Sequence, residues 1–105
     1  MSAAREKGTK WETRVVNYLK ENGFPFAERR SGNGAQDRGD INIPGVVLEC
    51  KNQKAMNLGA WIDEMVKEKA NAGVTTGAVI FPRRSHETKR AYVLLELADY
   101  VELIK

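Results

Sequence analysis

The chain has 105 residues, of which 42% are apolar and 30% charged. This composition predicts one globular domain over residues 1–105, too short for two hydrophobic cores. The net charge of +3 favours a polyanionic partner without requiring one. The single cysteine, Cys50, excludes an internal disulfide and suits a reducing compartment. Because the sequence has neither an apolar signal segment nor the roughly 18 apolar residues of a membrane span, we expect a cytoplasmic protein that makes no membrane contact.

Hydrophobic periodicity and turn residues predict three helices and five strands. In chain order these are a helix over residues 9–22, strands over Phe24–Arg30, Asp40–Ile43 and Val46–Lys51, a helix over Leu58–Ala72, strands over Thr76–Phe81 and Ala91–Leu95, and a helix over Leu97–Ile104. A polar, basic turn over residues 83–90 separates the last two strands. The order α-β-β-β-α-β-β-α predicts an α/β fold in which helices flank a mixed sheet.

The two central strands bring an aspartate, a glutamate and a lysine close together. Side-chain alternation places Glu49 and Lys51 on one strand face and Cys50 on the other, while Asp40 lies across a Pro-Gly turn. A charged pair on an otherwise apolar strand is costly to bury without a partner. A divalent metal and a phosphate would supply that partner. The alternative is a solvated pair on an exposed sheet face.

The spacing of Glu49 and Lys51 is not rare. In a chain of this length, roughly one acid-x-Lys triplet is expected by chance, and this chain has a second, formed by Glu87 and Lys89. The second triplet lies in the polar turn, where both side chains can be solvated. The apolar strand around the first triplet therefore favours Glu49 and Lys51 as the functional pair.

Glu12 is a further candidate carboxylate with two interpretations. Thr9–Glu12 matches a capping box, in which Glu12 bonds back to the start of its helix. At 100° per residue, Glu12 also falls at the rim of the apolar stripe, from which it can lean over the sheet as a ligand. Asp37 is a weaker candidate than Asp40 because an aspartate in a Gly-rich turn commonly satisfies its own backbone.

Two other ionisable residues are given structural interpretations. His86 is the one histidine, so the sequence contains no Cys/His zinc cluster, and we expect His86 at the surface. Lys69 falls within the apolar stripe of the second predicted helix. We expect its amine to extend to solvent rather than to the functional side of the sheet.

The basic residues are clustered along the chain. They are Arg5, Lys7, Lys10 and Arg14 near the first helix, Arg29 and Arg30 before the Gly-rich loop, and Arg83, Arg84, Lys89 and Arg90 in the late turn. Each group alone is typical of a solvated surface. Catalytic carboxylates repel a phosphate backbone, however, and need positive charge around them. Basic groups that flank an acidic cluster therefore favour a nucleic-acid partner.

Taken together, these motifs resemble the PD-(D/E)xK nuclease superfamily, and within it the small archaeal-type Holliday junction resolvases and their phage relatives. The resemblance rests on Lys7-Gly8 through Glu12, on Arg30-Ser31-Gly32, on Gly39-Asp40-Ile41, on Glu49-Cys50-Lys51 and on Gln53. One departure is that Gly39 occupies the position of the proline in the superfamily name.

The resemblance implies a restriction-endonuclease-like fold and a Mg²⁺-dependent endonuclease, with Mn²⁺ able to substitute, of phage, bacterial or archaeal origin. Such an enzyme cuts four-way DNA junctions as a homodimer. The implied metal ligands are Asp40, Glu49, the backbone carbonyl of Cys50, and Glu12. Asp40, Glu49, Lys51 and Glu12 would be the catalytic residues. The DNA-binding residues would be Ser31, Gln53 and the basic residues Lys7, Arg29, Arg30, Arg83, Arg84, Lys89 and Arg90.

Three alternatives remain open. The chain could be another PD-(D/E)xK nuclease that acts on flaps or duplexes, or a non-catalytic DNA-binding module on the same fold. A third class is a protein-interaction domain whose basic charge only maintains solubility. Tests of metal-dependent cleavage and of DNA affinity at low salt distinguish these classes.

Overall fold

The computed structural model describes residues 3–30 and 38–105, which form an α/β fold with a five-stranded mixed open sheet and three α-helices. The elements are α1 (Ala3–Glu21), β1 (Glu28–Arg29), β2 (Ile41–Ile43), β3 (Val46–Cys50), α2 (Leu58–Ala72), β4 (Thr76–Phe81), β5 (Tyr92–Leu94) and α3 (Leu97–Ile104), with a short 3₁₀ turn at Thr88–Arg90. No helix in the described ranges is long and apolar enough to cross a membrane.

The strands lie side by side in chain order, β1-β2-β3-β4-β5. Short connections make β1, β2 and β3 antiparallel neighbours, and β4 and β5 are antiparallel as well. β3 and β4 are parallel because α2 carries the chain back across the sheet between them. The mixed sheet flanked by helices is therefore confirmed.

The helices α1 and α2 pack on opposite faces of the sheet. Trp11 of α1 belongs to a buried cluster with Ile41 and Cys50, whereas Trp61 of α2 belongs to a second cluster with Val47. Val47 and Cys50 lie on opposite faces of β3, as the predicted alternation requires. Cys50 is a buried free thiol.

The first helix and the first strand differ from their predicted bounds. α1 begins at Ala3, so Thr9 lies inside the helix, where its carbonyl accepts a hydrogen bond from the Thr13 hydroxyl at 2.9 Å. The capping-box interpretation of Glu12 is therefore wrong. β1 contains only Glu28–Arg29, because the chain before it turns back with the N–H of Ala27 bonded to a carbonyl three residues earlier.

Elements that are bounded by clear turn or capping residues match their predicted bounds. α2 ends where Gly73 adopts a left-handed φ of 69°, and its N–H bonds the carbonyl of Ala70. β4 and α3 also have their predicted ends, and β2, β3 and β5 lie within one residue of theirs.

The expectation that Lys69 extends to solvent is wrong. Its amine contacts both carboxylate oxygens of Asp99, at 3.0 and 2.8 Å, and the Asp99 residue is only 4% exposed. Asp99 also accepts the backbone N–H of Gly77 at 3.1 Å. The strand β5 ends at Leu94, which is opposite Val79 of β4. The Asp99 carboxylate therefore lies where a longer β5 would pair with the next residues of β4. The interaction attaches α3 to the edge of the sheet.

Candidate active site

The four residues predicted to be catalytic, Glu12, Asp40, Glu49 and Lys51, line one cleft of about 540 Å³. The cleft lies at the ends of β2 and β3, between α1 and α2. Its full lining is Ala4, Lys7, Gly8, Glu12, Asp40, Glu49, Cys50, Lys51, Asn52, Gln53, Lys54 and Glu64. The structure therefore brings together the acidic cluster and two of the predicted DNA-contacting residues, Lys7 and Gln53, while their chemical roles stay predictions.

Asp40 is fixed by three hydrogen bonds. Its N–H donates to the carbonyl of Leu48, its carbonyl accepts from Arg30, and its Oδ2 accepts from the N–H of Cys50, each at 2.8 Å. Gly39 before it has a φ of 96°, and a Cβ there would lie 3.0 Å from the Leu48 carbonyl oxygen. Proline, whose φ is fixed near −65°, cannot adopt this conformation. The glycine is therefore a local requirement of this turn.

Glu49 is a buried carboxylate, with only 3% of the residue exposed. The interpretation of Glu49 and Lys51 as a solvated pair is therefore wrong. Oε2 lies 3.7 Å from Nζ of Lys51, and Oε1 receives no hydrogen bond from the described residues. Burial, followed by the adjacent Asp40 and Glu64 carboxyls, raises the pKa of Glu49 far above its usual value. Such a group is costly to ionise unless a cation accompanies it.

Lys51 is held by an acidic residue that the sequence analysis did not identify. Its Nζ donates a hydrogen bond to Oε2 of Glu64 at 2.8 Å. Burial lowers the pKa of Lys51, but the hydrogen bond to Glu64 and the charge of Glu49 outweigh it, and the net shift is upward. Lys51 is therefore an ammonium at neutral pH, directed at the cleft by α2.

A second acidic residue of α2, Glu68, lies beneath the site. Carboxylate oxygens of Glu49, Glu64 and Glu68 lie within 4.8 Å of one another. Glu68 is buried on the same helix face as Trp61 and Met65. In the sequence, Glu68 is an acidic residue within the apolar stripe of α2, and this pattern could have identified the functional face of the helix. Glu64 lies one turn before Glu68 on that face.

The donor set fits a hard divalent cation. Glu49 presents an oxygen without a hydrogen bond from the described residues, and the nearby Asp40 carboxyl is one of the groups that raise the Glu49 pKa. Carboxylate oxygens are the ligands preferred by Mg²⁺ and Mn²⁺. A cation here would also relieve the repulsion among the clustered carboxylates.

Glu12 projects from α1 to the rim of the cleft. It accepts a hydrogen bond from Nε of Arg29 at 3.0 Å. Burial and then the charge of Asp40 raise the pKa of Glu12, and Arg29 opposes both effects. Glu12 therefore belongs to the electrostatic environment of Asp40, and Arg29 balances the added negative charge.

The other predicted DNA-contacting residues lie in different places. Arg84 donates to Oδ1 of Asn52 at 3.1 Å, which brings a guanidinium to the cleft. Arg30 is half-buried and donates to Asn42 at 3.1 Å. Lys89 lines a separate depression, together with Arg14 of α1.

Three further residues named in the sequence are His86, Ser31 and Asp37. His86 is exposed, as predicted, and its Nδ1 lies 2.8 Å from the carbonyl oxygen of Arg84. Ser31 and Asp37 lie outside the described residues.

Comparison with protein-family models, curated proteins and solved structures gives no match to this chain. The function must therefore be inferred from the fold and from the geometry of the cleft.

Proposed function

We propose that the chain is a metal-dependent endonuclease of the PD-(D/E)xK type, with a restriction-endonuclease-like fold and branched DNA as its substrate. The observation that carries this proposal is the buried Glu49 carboxylate, which shares one cleft with Asp40 and Lys51. Burying Glu49 beside the half-buried Asp40 and Lys51 is costly for a purely structural site. A cation and a phosphate bound in the cleft would compensate that cost.

Asp40, Glu49 and the backbone carbonyl of Cys50 would hold Mg²⁺ or Mn²⁺, with Glu12 at the rim. When bound, the metal would lower the pKa of a coordinated water and neutralise charge on the scissile phosphate. Asp40 is preorganised for this role because its backbone and one carboxylate oxygen are already fixed. A ligand held in this way loses little conformational freedom on binding.

Lys51 would supply positive charge at the reacting phosphate. The Lys51 ammonium is oriented by Glu64 at 2.8 Å and lies 3.7 Å from Glu49. A preorganised cation next to a developing oxyanion stabilises the transition state more than the ground state. Glu64 is then a positioning residue, since it would act on the substrate through Lys51.

The rim of the cleft can receive a phosphate backbone. Lys7 and Gln53 line it, and Arg84 reaches it through Asn52. Phosphate contacts of this kind position DNA without reading its sequence, which suits an enzyme that selects its substrate by shape. Two symmetric cuts in a four-way junction require two such clefts, and hence a homodimer.

The test is cleavage of a labelled four-way junction in Mg²⁺, alongside a linear duplex and a 5′ flap. We expect junction cleavage that leaves 5′-phosphates, that stops when EDTA is added, and that is lost in Glu49→Gln. Glu87→Gln is the matched control, because it makes the same change in the exposed acid-x-Lys triplet.

The other outcomes separate the alternative functions. Preferential cleavage of the flap or duplex would assign the chain to another nuclease of this type. Junction binding without any cleavage by the wild type would identify a non-catalytic binding module. Absence of DNA affinity at low salt would exclude both nuclease and DNA-binding functions.

A further inference from the structure

The last helix, α3, has an unusual distribution of polar and apolar residues. Its buried residue is Asp99, whereas Leu97 and Ile104 are 76% and 63% exposed. Tyr100 and Val101, on the turns between them, are exposed as well. A helix that packs on a sheet normally has the opposite arrangement.

The exposed residues form one continuous stripe, which we call the α3 stripe: Leu97, Tyr100, Val101 and Ile104. At about 100° per residue they fall within an arc of about 100°, and Asp99 lies about 150° from the centre of that arc. Because Asp99 is bound to Lys69 and to the edge of β4, the orientation of α3 is fixed with the stripe facing away from the sheet.

We propose that the α3 stripe is the contact surface for a second copy of this chain, with the two α3 helices antiparallel across a twofold axis. The axis would pass between Tyr100 and Val101. Leu97 would then pack against the partner's Ile104, and Tyr100 against the partner's Val101. A twofold contact of this kind is self-complementary, since each pair occurs twice.

Charges at the two ends of α3 favour the antiparallel arrangement. Glu96 precedes the helix and Lys105 follows it. Both are exposed, and their partners within the chain are Lys69, 4.0 Å from Glu96, and Glu102, 2.9 Å from Lys105. In the antiparallel register each Glu96 lies opposite the partner's Lys105, and the two helix dipoles oppose one another. A parallel arrangement would instead place like charges side by side. The stripe and the charges at its ends therefore complement a copy of themselves.

The dimer extends the proposed function, because the second chain would supply the second cleft that two cuts require. In this one respect the inference rests on the proposed function. None of the residues that line the cleft belongs to α3. The proposed contact therefore covers none of the residues that line the cleft. Because the interface involves α3 alone, its test needs no DNA.

The expected affinity is moderate. A standard interface buries about 800 Å² on each partner, and one eight-residue helix supplies only part of that area. We therefore expect a weak dimer, with a dissociation constant on the order of micromolar.

The first experiment is sedimentation equilibrium of the wild-type protein without DNA, from about 1 to 100 µM. The expected result is a concentration-dependent dimer of the 11.8 kDa chain. Val101→Glu and Leu97→Glu should each raise the dissociation constant at least tenfold, because each buries a carboxylate at the contact. Leu103→Glu is the matched control, since Leu103 is an exposed apolar residue of α3 outside the stripe.

Two results would overturn the proposal. One is a wild-type protein that stays monomeric at about 100 µM. The other is a dimer that Val101→Glu leaves intact while thermal unfolding shows that the variant is folded. Since neither measurement involves DNA, loss of the dimer and failure of the nuclease proposal are distinguishable results.

Disulfide cross-linking tests the orientation of the helices. The buried thiol of Cys50 should contribute little background. A mixture of Leu97→Cys and Ile104→Cys proteins should form a cross-linked dimer under mild oxidation, and neither protein should do so alone. Cross-linking of the Leu97→Cys protein with itself would contradict the antiparallel register.

Discussion

The backbone N–H of Cys50 donates a hydrogen bond to Oδ2 of Asp40 at 2.8 Å, which joins the end of β3 to the residue before β2. The register of the two strands ends at Ile41 and Leu48, and the Asp40 N–H still donates to the Leu48 carbonyl beyond it, so the side-chain bond adds a second link between the same segments. The same Asp40 carboxyl interacts with that of Glu49. Asp40 therefore has a structural role and a proposed metal-binding role.

Substitutions of Asp40 should separate these two roles. Asp40→Asn keeps an oxygen that can accept the Cys50 N–H but removes the negative charge. We expect its free energy of unfolding to stay within about 1 kcal/mol of wild type, while its cleavage rate falls about 10²–10³-fold. Asp40→Ala should lose cleavage and also about 1–2 kcal/mol of stability. Single-turnover cleavage and urea unfolding measure the two effects, and an active Asp40→Asn protein would contradict the metal-ligand assignment.

Burial of Glu49 should make the stability of the metal-free protein depend on pH. Its pKa in the folded state lies above the value of 4.5 expected for the unfolded chain. Below pH 4.5 both states are protonated, so Glu49→Gln should have little effect. As the pH rises, the unfolded state ionises first, and wild type should lose up to about 1.4 kcal/mol per pH unit relative to Glu49→Gln.

Urea unfolding in EDTA from pH 4 to pH 8 measures this difference. The two stability profiles should diverge as the pH rises, and profiles that stay parallel would contradict the assignment. Mg²⁺ should then stabilise wild type at pH 7.5 and have little effect on Glu49→Gln, because the variant lacks the carboxylate that the cation would neutralise.

Glu64 and Lys51 should differ in how strongly they affect cleavage. Lys51→Met removes the proposed cation at the phosphate, and we expect about a 10²–10³-fold loss of rate. Glu64→Gln keeps that cation but weakens its hydrogen bond, so about a tenfold loss in kcat is expected. Removing the Glu64 charge should also lower the pKa of Lys51 and move the alkaline limb of the rate profile to lower pH. Glu102→Gln, which alters the exposed partner of Lys105, is the control.

Local sequence signals were enough to predict most of the helices and strands of the fold. α2 has a clear apolar stripe and is followed by Gly73, and the strand β4 is followed by Pro82, so the ends of both elements follow from the chain itself. The start of α1 was not predictable from such signals, because Gly8 and the polar residues around it do not indicate a helix interior. Its first turns, which include Lys7 and Gly8, line the cleft.

The sequence predicted only those parts of the candidate site that are formed by segments close together in the chain. Asp40 and Glu49 meet because β2 and β3 form a tight hairpin, which strand alternation and the turn residues reveal. The contact between Lys51 and Glu64 depends on how α2 is rotated against the sheet, and the sequence does not specify that rotation. Lys69 was misassigned for the same reason, since its partner lies 30 residues away.

Salt dependence of DNA binding should identify the residues that contact phosphates. Lys7 lines the cleft and Arg84 reaches it, whereas Lys89 lies in a separate depression. We expect Lys7→Gln and Arg84→Gln each to reduce the slope of log K against log salt by about 0.9, and Lys89→Gln to change it less. Fluorescence anisotropy on a four-way junction in Ca²⁺ or EDTA measures these slopes. A larger effect of Lys89→Gln would move the DNA path to the depression that Lys89 lines.

The buried ion pair of Lys69 and Asp99 should be a major determinant of stability. The two side chains are 13% and 6% exposed, and Asp99 also accepts the N–H of Gly77. Lys69→Met leaves a buried carboxylate without its cation, and removing one partner of such a pair costs about 3–5 kcal/mol. Glu102→Gln, in an exposed pair, should change the free energy of unfolding by less than about 1 kcal/mol. Urea unfolding provides both values, and equal effects would contradict the role of this pair in attaching α3. Because Asp99 fixes the orientation of α3, Lys69→Met should also weaken the proposed dimer.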